Sequence, residues 1–172
     1  LLERVRYYHR ANLNTLGIVA NEAAYREGAT WFDALLPYID ANHDFVEQYM
    51  KRQCPDIRYK KPQGTYLTWL DMNDLIEGIE AKARANQAGL KSPEHYMEQW
   101  LVERAQLQLN PGSNYGAGGE GHMRMNIATS RAVIKQAIDN LASAIKTAYR
   151  GHSRSRLAIL FAATMLAPKE TV

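Results

Sequence analysis

The stretch from Leu107 to Ala128, LQLNPGSNYGAGGEGHMRMNIA, most constrains what this chain can fold into. It turns at Asn110-Pro111-Gly112, then crosses a loop that holds Gly112, Gly116, Gly118, Gly119 and Gly121. It resumes at His122-Met123-Arg124-Met125-Asn126-Ile127, where Met123, Met125 and Ile127 alternate with the polar His122, Arg124 and Asn126. A period of two sends alternate side chains to opposite faces of a strand, so this run has one buried and one polar face. An arginine on that polar face, just after a glycine-rich loop, is placed to receive an anion. The loop is not a phosphate-binding P-loop: it lacks the G-x-x-x-x-G-K-[ST] spacing and leads into a strand, not a helix.

The rest of the chain reads as a scaffold for this stretch. Residues 1–9 favour helix. Asn14 or Thr15 is placed to N-cap a helix from Leu16 to Glu27, with Leu16, Val19, Ala20, Ala23 and Ala24 on one face and Gly28 as its stop. Thr30 is the next expected N-cap, opening a long amphipathic helix from Trp31 to about Gln53 that carries Pro37 inside it. Ile57–Lys60 is a short strand and Lys61-Pro62-Gln63-Gly64 a turn. Thr65–Leu70, rich in β-branched, aromatic and aliphatic residues, is the strongest strand. Leu75–Leu90 is expected as one solvent-facing helix that ends at Gly89. Ser92-Pro93-Glu94 opens another, to about Arg104, with Pro at its first position. Gln106–Leu109 is expected as a strand before the glycine loop. Ser130 N-caps the last helix, from Arg131 to about Arg150, whose apolar stripe runs from Val133 to Tyr149 and which Gly151 is expected to end. Few strands in hairpin-like steps, mixed with helices, predict an α+β fold: a small, mostly antiparallel sheet with helices on one face.

Composition narrows the function. The formal charge is +3 over 172 residues. Charges are scattered, and the Arg-rich piece from Arg150 to Arg156 is short, so no nucleic-acid surface is expected. The longest apolar run, Leu157–Ala167, is about half of the roughly 20 residues that span a bilayer, so no membrane is expected either. The single cysteine, Cys54, forbids an internal disulfide and fits a reducing, cytoplasmic setting. It has no partner motif and reads as structural. His95 and His122 have no ligand-spaced partners, so no metal is expected. Trp31, Trp69 and Trp100 fall at core-facing positions. The chain opens on LLERVRYYHR, without an initiating methionine and already helix-like, so it is expected to belong to a longer protein.

The order PQGTYLTWLDM, LQLNPGSNYGAGGEGHMRMNIATSR and a long final helix resembles the C-terminal part of the class I/II (fold-type I) aminotransferase family of pyridoxal-phosphate (PLP) enzymes. The segments Asn14-Thr15-Leu16-Gly17, Glu22-Ala23-Ala24-Tyr25, Gly28-Ala29-Thr30-Trp31 and Tyr38-Ile39-Asp40-Ala41-Asn42 are similar to its cystathionine β-lyase-like (carbon–sulfur lyase) branch. The resemblance covers roughly residues 10 to 148. It implies a PLP-transferase small domain at residues 29–150, a helical connection to a large domain at 1–28 and a tail at 151–172. It implies a homodimer, a PLP cofactor and an amino-acid substrate that undergoes β-elimination (a cysteine conjugate or a cystathionine-like molecule) or transamination.

In the family, the arginine of an R-x-N pattern binds the substrate α-carboxylate; here that pattern is Arg124-Met125-Asn126. The planar guanidinium fork matches a carboxylate bidentately. An alternative is a structural arginine paired with a helix carboxylate. Tyr115 lines the substrate pocket or caps the core, and the same choice stands for Tyr66. Gly64 serves the turn and also permits close backbone approach to a ligand. The family's cofactor-bonding lysine, in a Ser-x-x-Lys context, has no match here, so no catalytic residue is expected in this chain, which is expected to be inactive alone. The alternative is a non-catalytic relative kept as a structural or dimerising module.

Overall fold

The computed structural model describes residues 14–165, with side chains described for residues 14–150. The helix expected over residues 1–9 lies outside them. The described residues divide into two compact units, one ending at Asp40 and the next beginning at Ala41.

The first unit holds α1 (Thr15–Glu27) and the opening of α2 (Ala29–Gln53). Asn14 is the N-cap of α1, its Oδ1 accepting from the N–H of Leu16 at 3.0 Å and of Gly17 at 3.4 Å. Gly28 closes α1, and α2 begins at the next residue, so Thr30 lies inside the helix and caps nothing. Pro37 also lies inside α2. No residue of α1 is buried, and Trp31 is 69% exposed, so the apolar stripe read from the sequence here faces outward and Trp31 is not a core residue.

The second unit is built on a four-stranded antiparallel sheet: β1 (Arg58–Tyr59), β2 (Leu67–Asp71), β3 (Asn110–Pro111) and β4 (His122–Asn126), in the spatial order β1-β2-β4-β3. The α+β expectation holds. One sheet face is buried through Thr68 and Leu70 of β2 and Met123 and Met125 of β4. Helices α5 (Pro93–Ala105) and α6 (Arg131–Met165) and the second half of α2 join it in one core, with Met97 and Leu101, Ile138 and Leu141, and Val46 and Met50 buried. Burying side chains of this size contributes about 1.5–3 kcal/mol each.

Three expectations are corrected. Residues 75–90 form two short helices, α3 (Asn73–Gly78) and α4 (Ala81–Gln87), not one. Glu80 takes a left-handed φ of 56° between them, which lets Leu75, Ile79, Ala81 and Ala85 reach the core. The strand expected at Gln106–Leu109 starts later, at Asn110, because Gln106 is the left-handed cap of α5 (φ 52°). Pro111 then sits in an edge strand, where its missing N–H breaks no ladder bond. Finally, α6 runs through Gly151 to Met165. A glycine inside a helix costs about 1 kcal/mol and does not by itself end it.

Candidate functional site

The outer face of the sheet carries the stretch that the sequence singled out. In the β2–β4 register Trp69 lies opposite Arg124, Asp71 opposite His122 and Leu67 opposite Asn126, while Asn110 of β3 flanks Arg124 on the other side. Directly opposed residues share a face, so Trp69, Asn110, His122 and Arg124 form one polar and aromatic patch.

Arg124 is half-buried. Its Cζ lies 4.4 Å from the centre of the Tyr115 ring, a cation–π contact. Trp69 meets Tyr115 edge-on with centroids 6.0 Å apart and stacks on His122 at 5.6 Å. Arg124 Nε is buried without a hydrogen-bond partner, and among the described residues no carboxylate pairs with Arg124. The alternative of a structural arginine tied to a helix carboxylate therefore finds no partner there. An unsatisfied buried donor costs about 1–3 kcal/mol, more when charged.

The glycine-rich segment delivers Tyr115 to this position. It opens with a 3₁₀ turn, Gly112–Tyr115, and folds back so that Gly112 and Gly119 meet backbone to backbone. A Cβ on Gly119 would land on the carbonyl of Gly112. Gly119→Ala should therefore lower the stability of the chain by about 1–3 kcal/mol, the cost of overpacking, as read from a denaturant melt. An unchanged midpoint would show that the loop does not close this way.

The loop is also tied at its end. Gly121, at a φ of 73°, donates its N–H to Glu94 Oε1 at 2.6 Å and accepts from the N–H of Met72 at 2.9 Å. Glu94 is 4% exposed. Burial alone would raise its carboxyl pKa, but hydrogen bonds from Ser92, Gly121, its own N–H and Ser113 outweigh this and hold it below the usual range. Ser92 opens α5 as expected, but its hydroxyl turns to His95 and Ser113 and caps no backbone N–H.

Of the four residues singled out from the sequence, Arg124 and Tyr115 are in contact. Tyr66 is 49% exposed, so it does not fill the core, and its carbonyl accepts from the N–H of Ile127 at 2.9 Å. Gly64 lies two residues earlier, in open space. Sequence reasoning assigned Trp69 to packing and passed over Glu94. The register with Arg124 is what gives Trp69 its place, and a single strand pattern does not contain it.

Other chemistry is sparse. Burial pushes the Cys54 thiol up to about 12, so it is no nucleophile. Among the described residues no three His, Cys, Asp or Glu side chains gather to hold a metal, and no helix is long and apolar enough to cross a membrane. Among the described residues, Lys61 pairs with Asp44 and Lys135 with Asp139.

No family model matches the chain. A Mycobacterium leprae protein assigned as a cystathionine β-lyase is 37% identical over 130 residues, covering 76% of this chain and 32% of its own length. The cystathionine β-lyase PatB of Bacillus subtilis is 32% identical over 133 residues, 77% of this chain and 30% of PatB. The crystal structure of cystalysin from Treponema denticola, which contains PLP, matches with a TM-score of 0.64 at 29% identity over 79% of this chain and 31% of cystalysin. The chain thus spans about a third of the length of the relatives it matches. By sequence and by fold it is homologous to part of the cystathionine β-lyase-like branch of the fold-type I, PLP-dependent aminotransferase family.

Proposed function

We propose that residues 29–150 are the substrate-clamping small domain, in the C-terminal portion, of a PLP-dependent carbon–sulfur lyase or aminotransferase, with residues 1–28 as the connection to a large domain and 151–172 as a tail. Arg124 binds the α-carboxylate of an amino-acid substrate. The observation that carries this is a half-buried guanidinium whose Nε has no partner. Tyr115 beneath it fixes the plane of the fork, so a carboxylate meets it edge-on and is held by two parallel hydrogen bonds. Trp69 packs edge-on against Tyr115 and supports that ring. Tyr66 and Gly64 border the same substrate space from the start of β2. Holding the carboxylate fixes the substrate Cα in place for chemistry elsewhere in the enzyme.

The guanidinium of this face suits a carboxylate. Cofactor binding belongs to the remainder of a cytoplasmic, homodimeric enzyme. The 172-residue chain incubated with PLP should show no absorbance band of lysine-bound cofactor and no activity. A borohydride-reducible adduct at one specific lysine would overturn that. The reaction type is read by assaying the full-length enzyme for pyruvate and thiol release against keto-acid exchange. Pyruvate with thiol is the expected outcome for the lyase branch, and absence of both activities rejects the proposal.

A further inference from the structure

Two adjacent residues of α2, Asn42 and His43, are buried polar side chains that reach the two segments flanking one end of the β2–β4 pair. Asn42 Nδ2 donates to the carbonyls of Ile127 and Thr129, each at 3.1 Å. His43 Nε2 lies 2.9 Å from the carbonyl of Thr65, and its Nδ1 lies 2.5 Å from the Tyr59 hydroxyl. A carbonyl only accepts, so Nε2 carries the proton; in the neutral ring Nδ1 then accepts from the Tyr59 O–H. Burial keeps the Tyr59 phenol protonated, with Glu47 and Asp44 adding to the effect, so it stays a donor.

The group that His43 holds is unusual. Thr65 has a φ of 69°, a left-handed conformation that a β-branched residue avoids. Its Oγ1 accepts from the N–H of Leu67 at 3.3 Å, and the next carbonyl, that of Tyr66, accepts from Ile127. Strain of this kind persists only where the surroundings over-determine it. The surroundings include the His43 imidazole, buried to 3% exposure and gripped from its far side by Tyr59.

We propose that His43 is a positioning residue for the Arg124 site: fixed as the Nε2–H tautomer by Tyr59, it locks Thr65 in its left-handed conformation through the Thr65 carbonyl and so sets the Gly64–Tyr66 turn at the Asn126 end of the sheet. This rests on the carboxylate-site reading only for its catalytic consequence. The local coupling stands or falls by itself.

The test is a double-mutant cycle in the 172-residue chain, with a kinetic arm in the full-length enzyme. Thr65→Asn keeps an oxygen for the Leu67 N–H and tolerates the left-handed region, so it should raise Tm by about 2–4 °C. In a His43→Leu background Thr65 is no longer held, and the gain should vanish. His43→Gln, whose amide N–H replaces the donor, should keep it. An equal gain in all three backgrounds overturns the proposal. If His43→Leu does not fold, the imidazole ¹⁵N spectrum of the unaltered chain decides: Nε2–H is expected, and an Nδ1–H tautomer overturns it. In the full-length enzyme His43→Leu should raise KM about tenfold with kcat changed far less, and His43→Gln should restore it. A flat KM for His43→Leu while Arg124→Ala raises it overturns the positioning role alone. A KM flat for both overturns the carboxylate site as well.

Discussion

Replacing Arg124 with alanine in the full-length enzyme should raise KM for amino-acid substrates by about 10- to 150-fold, the equivalent of losing a charge-assisted bidentate contact of roughly 1.5–3 kcal/mol. The guanidinium is half-buried over Tyr115 with an Nε that bonds to nothing in the free protein. Arg124→Lys should recover only a small part of the loss, since an ammonium keeps the charge but not the fork. A substrate analogue with hydrogen in place of the α-carboxylate supplies the control: its KM should be the same for both proteins. Stability separates this effect from damage to the fold. Arg124 gives up a cation–π contact of about 0.5–2 kcal/mol and no ion pair, so Tm should fall by only a few degrees. A KM within threefold of the parent enzyme, with the fold intact, would remove Arg124 from the site.

That Arg124 faces outward was legible in the sequence, because alternation of Met123, Met125 and Ile127 with polar residues fixes the buried face of β4 and leaves the arginine on the other. Its neighbours were not legible. Trp69 and Arg124 are 55 positions apart, and only the antiparallel register sets them opposite each other. Likewise the bond from Asn42 to Ile127 spans 85 positions and that from Glu94 to Gly121 spans 27. A helical stripe or a strand period says which face is buried, but not which partner lies across the contact. The same limit explains Trp31. Its spacing in α2 is that of a core face, yet it is 69% exposed, since the period of an apolar stripe does not say what covers it. The break of residues 75–90 into α3 and α4 was hidden for another reason. Glu80 is a good helix former, yet it takes a left-handed turn with Ile79 and Ala81 buried on either side, and local propensity does not show that. Some helix ends are written locally: Asn14 and Ser130 accept from nearby backbone N–H groups, whereas Thr30 and Gly151, read as a cap and a stop from the same kind of signal, lie inside helices.

Glu94→Ala should lower the stability of the chain by about 3 kcal/mol, a fall in Tm of about 6–12 °C, although the residue is a carboxylate at the start of a helix. Its side chain is 4% exposed and joins α5 to the far end of the glycine loop through the Gly121 N–H. Truncation leaves that buried donor unsatisfied. Glu94→Gln keeps an acceptor oxygen but not the charge and should cost about half as much. The pH dependence gives the sharper test. Because the folded-state pKa of Glu94 is held below its ordinary value of 4.5, the folded chain binds fewer protons there than the unfolded chain. The stabilisation is therefore complete above the unfolded pKa and is lost as the pH falls through the lowered folded value. The gap between the parent chain and Glu94→Gln should be widest near neutral pH and shrink on acidification below 4.5. Asp71 and Asp139 are also held below their ordinary range, but they are present in both proteins and cancel in the difference. Urea melts from pH 7 to pH 3 measure the gap, and a difference constant across that range would rule out an ionised, hydrogen-bonded Glu94. Gly121 directly precedes His122, the first residue of the Arg124 strand, so the same acid transition should loosen the loop that holds Tyr115 under the guanidinium.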